Sequence, residues 1–248
     1  MKKILRSFIV LFLFLFFGFG ALILNFIIFP LINLFNSKEK RINICSKIIH
    51  KSWGYFVKLI LLCKIIKINF DGFKKNENLK GKIIVANHPT YIDILILIAK
   101  LDNTLCVAKK ELKKNFFMAN IVKSCYIVND EDNEEFILNA KSILNSGYNL
   151  IIFPSGTRTE NGKEIKLHKG ASNLALKCGR DIVPIVINCS RKFLAKEQKI
   201  YDAGDKPIEF NIKINETIKI NEIDANLTDI QKRNRINEII KKRITPVY

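Results

Sequence analysis

An uncharged apolar run near the start of the chain constrains its structure more than any other feature. From Ser7 to Phe35 no residue is charged, and Phe, Leu and Ile dominate. This run exceeds the roughly 20 apolar residues that a membrane-spanning helix needs. Basic residues flank both ends, so the positive-inside rule leaves the orientation open. The pattern fits a spanning helix, or a helix that is kinked near Pro30 and dips into one leaflet with both ends in the cytoplasm.

A secretory signal peptide is the alternative interpretation of this run. Gly18-Phe19-Gly20-Ala21 offers the small residues that signal cleavage requires. However, the apolar stretch continues well past them, whereas the core of a signal peptide is only about 7–15 residues long. We therefore expect a retained membrane anchor over residues 1–37.

A second helical pattern covers residues 38–65. Trp53 and Tyr55 suit a membrane interface, and the lysines between the apolar positions suit anionic headgroups. We expect an amphipathic helix that lies on the membrane, with a soluble helix covering a sheet as the alternative. The apolar positions at helical spacing are Ile42, Cys45, Ile48, Ile49, Trp53, Phe56 and Val57.

Short apolar runs alternate with helical segments from residue 66 onward. This alternation predicts a single α/β domain over residues 66–248, with a mainly parallel or mixed central sheet flanked by helices. The expected strands are Ile66–Phe70, Lys82–Ala86, Cys125–Val128, Leu150–Phe153, Ile182–Asn188 and Phe210–Ile214, and the expected helices are Ile92–Ala99, Lys109–Val122, Glu134–Leu144 and Leu227–Ile244.

The charge balance favours an anionic partner. There are 41 Lys and Arg against 23 Asp and Glu, a formal net charge of +18. Part of this excess reflects a general bias towards Lys, Asn and Ile. No aromatic-interleaved strand or recognition-helix motif accompanies the charge, which argues against nucleic-acid binding and favours an anionic phospholipid membrane. The six cysteines are scattered without a C-x-x-C pair, so we expect buried, reduced thiols and no zinc site or disulfide framework.

A histidine and an aspartate five residues apart follow the second expected strand. Within a regular helix, five positions turn the chain by about 500°, so His88 and Asp93 would point in different directions. Pro89 fits the first turn of a helix and leaves His88 on the preceding loop, which can fold the imidazole back towards the carboxylate. An aspartate that orients an imidazole makes it a general base for an alcohol. Alone, the spacing is a weak pattern, because a single loop histidine is more often a surface or capping residue.

A candidate anion-binding turn follows the strand Leu150–Phe153. Gly156 lets the backbone turn, Thr157 adds a hydroxyl, and Arg158 adds a planar fork that matches phosphate oxygens. A tight surface turn is the simpler interpretation of this segment alone, and its place next to the histidine loop favours the anion site. Ser155 lacks the G-x-S-x-G context of a nucleophile, so we place it with the substrate-binding residues.

The two motifs resemble those of the glycerolipid acyltransferase family, typified by 1-acylglycerol-3-phosphate acyltransferases. The first family motif, N-H-x4-D, is matched by Asn87, His88 and Asp93. The likeness covers roughly residues 66–215. The other matches, to the F-P-E-G-T-R, V-P-I and K-x-E-L motifs, are Phe153, Pro154, Gly156, Thr157 and Arg158, then Val183-Pro184-Ile185, and Ala108-Lys109-Lys110-Glu111-Leu112.

Two positions depart from the family pattern. Ser155 stands where the family has glutamate, and Asp130 stands where the second motif usually ends in an arginine that holds the acceptor phosphate. Asp130 would repel a phosphate. The version found here resembles a divergent branch of lysophospholipid acyltransferase-like proteins. The departures therefore bear on the acceptor lipid more than on the reaction.

The resemblance implies a membrane-bound acyl transfer reaction. His88 would deprotonate the acceptor hydroxyl, which attacks the thioester of acyl-CoA or an acyl carrier protein, and Asp93 would orient His88. The turn at residues 155–158 would hold the phosphate of a lysophospholipid such as 1-acylglycerol-3-phosphate. No metal, cofactor or covalent intermediate is expected, and the catalytic domain would face the cytoplasm. The alternatives are a different acceptor, such as a lyso-ornithine lipid, and an inactive basic membrane-binding homologue.

Overall fold

The computed structural model describes residues 2–74, 79–116, 118–129, 134–159, 165–191, 193–194, 199 and 201–246. Its centre is a seven-stranded mixed sheet in the order β1-β7-β6-β2-β5-β3-β4. Only the β6–β7 pair is antiparallel, so the five strands from β6 to β4 end at one edge of the sheet. The strands are β1 (Ile66–Asp71), β2 (Ile83–Ala86), β3 (Thr104–Lys109), β4 (Tyr126–Asn129), β5 (Asn149–Ile152), β6 (Ile182–Cys189) and β7 (Ile208–Ile214).

Helices cover both faces of the sheet, and each face has its own apolar core. One core lies between the sheet and helices α1, α3, α4 and α5, and the other lies between the sheet and helices α6, α7 and α8. The predicted α/β class with a mixed central sheet is confirmed. The helices are α1 (Lys2–Ile23), α2 (Phe29–Phe35), α3 (Lys38–Leu62), α4 (Asp93–Lys100), α5 (Ala119–Cys125), α6 (Glu134–Asn145), α7 (Gly170–Cys178) and α8 (Asp229–Ile244).

The helix predicted over Lys109–Val122 is wrong. Strand β3 extends through Lys109, a 3-10 turn covers Lys110–Lys114, and helix α5 begins only at Ala119. The polar, lysine-rich stretch has high helix propensity, but Lys109 pairs with Asn129 of β4, and this tertiary pairing outweighs the local preference at the start of the stretch. The sequence interpretation also missed β3 itself and helix α7.

Helix α3 packs against the globular domain with one face and exposes the other. The prediction that Trp53 lies at a membrane interface is wrong, because Trp53 is only 5% exposed and lies in the first core. Tyr55 lies on the opposite face and is 70% exposed. One face of this helix therefore covers the domain, and the other faces outward.

The segment Lys3–Phe35 is the only helix, in the part of the chain that is described, that is long and apolar enough to cross a membrane. A π-helical turn, Leu24–Ile28, joins α1 to α2 directly before Pro30, close to the predicted kink. In this turn the amide of Phe29 donates to the carbonyl of Leu24. Large apolar side chains line the outward face of the segment: Ile4, Leu5, Phe8, Leu11, Phe12, Phe14, Leu15, Phe16, Phe19, Phe26, Ile27, Leu31, Leu34 and Phe35.

Two polar side chains fasten this segment to the globular body. The Arg6 guanidinium donates to the carbonyls of Lys64, Ile65, Gly204 and Lys206 at 2.8 to 3.2 Å. Because these carbonyls belong to the chain just before β1 and just before β7, Arg6 ties the beginning of α1 to that side of the sheet.

The second fastening is Asn25, which is buried in the π-helical turn. Its side-chain oxygen accepts from the amide of Asn120 at 2.9 Å, and its side-chain nitrogen donates to the carbonyl of Phe116 at 3.1 Å. Asn25 therefore binds the amino-terminal turn of α5, and the apolar segment is held along the domain at two separate points.

Candidate active site

Strand β2 delivers the histidine loop to the carboxyl edge of the sheet. All four residues of β2 are buried, and β5 and β6 flank it in parallel. The chain leaves the sheet at Asn87, whose side chain makes the hydrogen bonds to β6 that the backbone of a strand would otherwise make. Its Nδ2 donates to the carbonyl of Ile187 at 2.8 Å, and its Oδ1 accepts from the amide of Ile187 at 2.7 Å. This pair fixes where β2 ends, and so it fixes where His88 begins its loop.

His88 and Asp93 are in direct contact. Nδ1 of His88 lies 2.9 Å from Oδ2 of Asp93, and the carboxylate is fully buried. An ionised carboxylate only accepts hydrogen bonds, so Nδ1 donates, and in the neutral ring the lone pair is then on Nε2. The chain turns between the two residues, and α4 begins at Asp93, so His88 lies on the loop as predicted. The expectation that Pro89 occupies the first turn of the helix is wrong, because Pro89 lies in the loop four residues before α4.

Thr90 completes the binding of the buried carboxylate. Its amide donates to Asp93 Oδ2 at 2.7 Å, and its hydroxyl donates to Asp93 Oδ1 at 2.5 Å. The sequence interpretation missed this residue. The signal was available, because Thr90-Tyr91-Ile92-Asp93 is a threonine followed three residues later by an acidic residue before an apolar run, which is typical of a helix start.

The turn after β5 contacts His88 at both of its ends. The ring of Phe153 stacks on the imidazole, with centroids 4.3 Å apart and planes inclined by 24°. The amide of Thr159 donates to the carbonyl of His88 at 2.7 Å. The structure thus brings together the histidine loop and the predicted anion-binding turn, which lie some sixty residues apart in the chain.

The turn is closed by its own backbone. Gly156 has a φ of +64°, and its amide donates to the carbonyl of Phe153 at 3.0 Å. A side chain at this φ is strained, which explains the need for glycine. The Ser155 hydroxyl donates to the carbonyl of Thr157 at 2.7 Å, so its proton is used within the turn and not given to His88. Ser155 is placed as part of the turn and not as a nucleophile.

Arg158 is oriented by two contacts. Its Nη1 donates to the carbonyl of Leu194 at 2.8 Å, and its guanidinium carbon lies 3.7 Å from the centre of the Tyr91 ring. Among the residues that the structure describes, no carboxylate lies within ion-pair distance of it. The role of Tyr91, which lies between His88 and Asp93 in the chain, was not apparent from the sequence.

Two other histidines, His50 and His168, belong to neither motif. Both ring nitrogens of His50 have structural partners, the carbonyl of Ile98 at 2.7 Å and the carboxylate of Asp102 at 2.9 Å. His168 has an exposed side chain. Asp130, which departs from the family motif, lies outside the described residues.

The cysteines are free thiols, and all except the half-buried Cys63 are buried. Burial raises the pKa of the Cys106 thiol to about 12 and that of Cys189, which lies near Asp93, to about 11. Both thiols are therefore protonated at neutral pH and are poor nucleophiles. Within the described ranges, no group of three or more His, Cys, Asp or Glu side chains is arranged to hold a metal ion.

Comparison with known proteins gives one consistent result. The family model described as "Acyltransferase" matches residues 67–188, a range that contains both the histidine loop and the turn after β5. A 1-acyl-sn-glycerol-3-phosphate acyltransferase of Helicobacter pylori is 32% identical over 131 residues, which are 50% of this chain and 55% of that protein. The matched stretch thus spans about half the length of that relative.

Longer matches exist at lower identity. A 1-acyl-sn-glycerol-3-phosphate acyltransferase of Borreliella burgdorferi is 28% identical over 193 residues, 75% of each chain. The crystal structure of the 1-acyl-sn-glycerophosphate (LPA) acyltransferase PlsC from Thermotoga maritima superposes with a TM-score of 0.70. It covers 98% of this chain and 95% of that one at 20% identity, and so it confirms the fold.

Proposed function

We propose that this chain, which belongs to the acyltransferase family, moves an acyl chain from a thioester donor to the free hydroxyl of a lysophospholipid such as 1-acylglycerol-3-phosphate. The single observation that carries the proposal is the contact of His88 with both Asp93 and the turn that contains Arg158. The proposed base, His88, thereby lies next to the proposed anion site. The relatives named as 1-acyl-sn-glycerol-3-phosphate acyltransferases support this choice of chemistry.

His88 is the proposed general base and Asp93 its orienting partner. The hydrogen bond to Asp93 holds Nδ1 in its protonated form and turns Nε2 towards the acceptor. When the ring takes a second proton, the buried carboxylate stabilises the resulting imidazolium. Phe153 restricts the ring from one face, so the imidazole does not have to be reoriented during the reaction.

The proposed reaction balances without an enzyme nucleophile. The acceptor hydroxyl gives its proton to Nε2 of His88 as its oxygen attacks the thioester carbonyl carbon. The tetrahedral intermediate then collapses, the carbon–sulfur bond breaks, and the leaving thiolate takes the proton from the imidazolium. The products are a new carboxylic ester and a free thiol on CoA or on the acyl carrier protein. This route needs no cofactor besides the acyl donor.

The turn at residues 155–158 is the proposed site for the acceptor phosphate. Gly156 keeps the backbone tight, Thr157 is exposed, and Arg158 offers a guanidinium with donors to spare. Ser155, which stands where the family has glutamate, brings no negative charge to this turn, and its hydroxyl donates to the carbonyl of Thr157.

The apolar segment at residues 1–37 is the proposed membrane anchor, and residues 38–65 are the proposed membrane-facing helix in front of a catalytic domain at 66–248. Arg6 and Asn25 hold the anchor along the domain, which favours embedding in one leaflet over crossing the bilayer. The outward face of α3 carries Lys47, Lys51 and Lys58, and these lysines fit an anionic leaflet at about 1 kcal/mol each. With the anchor in one leaflet, the start of the chain and the catalytic domain lie on the same face of the membrane, which we propose to be the cytoplasmic face.

Ser155 favours one second candidate, the same reaction on a different lipid acceptor such as a lyso-ornithine lipid. The two are separated by incubating the purified protein in detergent with a panel of lysophospholipids and other lyso-lipids, each with acyl-CoA and with acyl carrier protein thioesters. Mass spectrometry of the lipids identifies the product. Formation of phosphatidic acid supports the first candidate, and acylation of an amino-lipid alone supports the second. If none of the donor and acceptor pairs yields an ester, the proposed function is contradicted.

A further inference from the structure

Tyr91 is an aromatic residue that the packing of the domain does not require. Its side chain is 58% exposed, although it lies on the loop between His88 and Asp93. Its one described ring contact is the guanidinium of Arg158, which lies over the ring at 3.7 Å. An exposed tyrosine at the site with a charged partner indicates a role in recognition and not in core stability.

The contact with Tyr91 orients Arg158 without neutralising it. A guanidinium has five N–H donors, and the carbonyl of Leu194 takes one of them. A carboxylate partner would cancel the positive charge, whereas an aromatic face leaves it in place. Arg158 is therefore fixed in direction, charged, and able to form a bidentate contact with an anion.

Tyr91 also couples the anion site to the base. The residue belongs to the loop whose ends are His88 and Asp93, while Arg158 belongs to the turn whose Thr159 amide bonds the carbonyl of His88. The ring thus forms a third contact between the two segments, besides the Phe153 stacking and the Thr159 hydrogen bond. A phosphate bound to Arg158 is held in a defined position relative to the imidazole.

We propose that Tyr91 is a positioning residue for Arg158 and that it sets the preference of the site for acceptors bearing a phosphomonoester. The inference rests on the proposed function, since it assigns the acceptor class to the same site. The face of the aromatic ring orients Arg158, and the phenolic hydroxyl is not required for this contact. The ring and the hydroxyl can therefore be separated by substitution.

The test uses two acceptors that differ only in the phosphate, 1-acylglycerol-3-phosphate and 1-acylglycerol. In the full-length protein, Tyr91→Leu raises KM for the phosphorylated acceptor about 3- to 10-fold, the range that a cation–π contact at a partly exposed site provides. KM for 1-acylglycerol, KM for the acyl donor and kcat stay within about 2-fold, because none of them depends on the cation–π contact that orients Arg158. Tyr91→Phe retains the wild-type constants.

A matched control is Tyr201→Leu. Tyr201 is also exposed and also lies near a cation, Lys199 Nζ at 6.0 Å, but it is not in either motif. We expect Tyr201→Leu to leave KM for both acceptors unchanged. Equal changes for the two acceptors in Tyr91→Leu, or a changed donor KM, would mean a general structural effect and would overturn the proposal, as would an unchanged acceptor KM.

Equilibrium binding on the same variants separates this proposal from the proposed function. Wild-type protein binds 1-acylglycerol-3-phosphate more tightly than 1-acylglycerol, and Tyr91→Leu reduces that difference while Tyr91→Phe keeps it. This result supports Tyr91 even where no ester is formed, in which case the proposed reaction alone fails. Equal binding of the two lipids by wild type, or an undiminished difference in Tyr91→Leu, overturns the assignment of Tyr91.

Discussion

Nδ1 of His88 and Oδ2 of Asp93 lie 2.9 Å apart although five positions separate the residues, a spacing that no regular helix brings into contact. The contact exists because the chain turns between the two residues, and because the Thr90 amide and hydroxyl hold the Asp93 carboxylate at the start of α4. The same carboxylate thus serves the helix start and the imidazole. Structural and chemical roles are combined in one buried side chain.

Asp93→Asn should lower kcat about 10²- to 10⁴-fold, the usual contribution of a positioned general base. An amide cannot accept from His88 and from both donors of Thr90 as the carboxylate does. Initial rates with the acceptor identified by the lipid panel measure the loss. Asp102→Asn is the matched control, because Asp102 also bonds a histidine, His50, at 2.9 Å, but away from the motifs. A rate for Asp93→Asn within 10-fold of the control would contradict the proposed role.

Thr90→Val should destabilise the protein by about 1–3 kcal/mol, because it leaves Oδ1 of a buried carboxylate without its donor. The free energy of unfolding is measured by urea titration in detergent. Thr90→Ser keeps the hydroxyl and should retain most of the stability and the rate. If valine and serine variants unfold at the same urea concentration as wild type, the hydroxyl bond contributes nothing.

Gly156→Ala should cost about 1 kcal/mol of stability, because φ at this position is +64° and an L-residue is strained there. The strain also shifts the turn that holds Arg158, so KM for the acceptor should rise while KM for the donor does not. Gly54→Ala in helix α3 is the control, since its Cβ meets nothing within 4 Å and the added methyl favours a helix. Equal stability of the two variants would contradict the need for glycine in the turn.

The two fastening points of the apolar segment predict its topology. Held to the domain at Arg6 and at Asn25, the helix cannot carry the first residues to the far side of a bilayer. Cleavable tags at both ends of the chain should therefore be digested together by protease added to inverted membrane vesicles, and both should be protected in right-side-out vesicles. Digestion of one tag from each side would show a spanning helix.

The buried strands and the site loops could be predicted from the sequence, because both have local signals. β2, β5 and β6 contain short continuous apolar runs, and Pro89 directly after His88 indicates a turn of the chain there. The capping pattern at Thr90 was also legible. By contrast, β3 is a strand because it lies between β4 and β5, and no local pattern records that position.

The features that could not be predicted depend on contacts between residues that lie far apart in the chain. Trp53 is apolar on either interpretation of helix α3, and only the packing of α3 on the domain decides that it is buried. The placement of Arg158 over Tyr91 joins residues from two separate strand ends, and its geometry depends on the turn between them. The Arg6 and Asn25 contacts likewise join the first helix to residues that follow it by 58 to 200 and by 91 to 96 positions.

The central claim is that His88 is the base for acyl transfer, and the most direct measurement is the rate of ester formation by His88→Ala compared with wild type. Both proteins are assayed with the same thioester donor and lyso-acceptor, with thermal unfolding recorded to confirm the fold. We predict that the variant stays folded, binds the acceptor, and forms product about 10²- to 10⁴-fold more slowly. A folded His88→Ala protein that acylates the acceptor at the wild-type rate would contradict the mechanism.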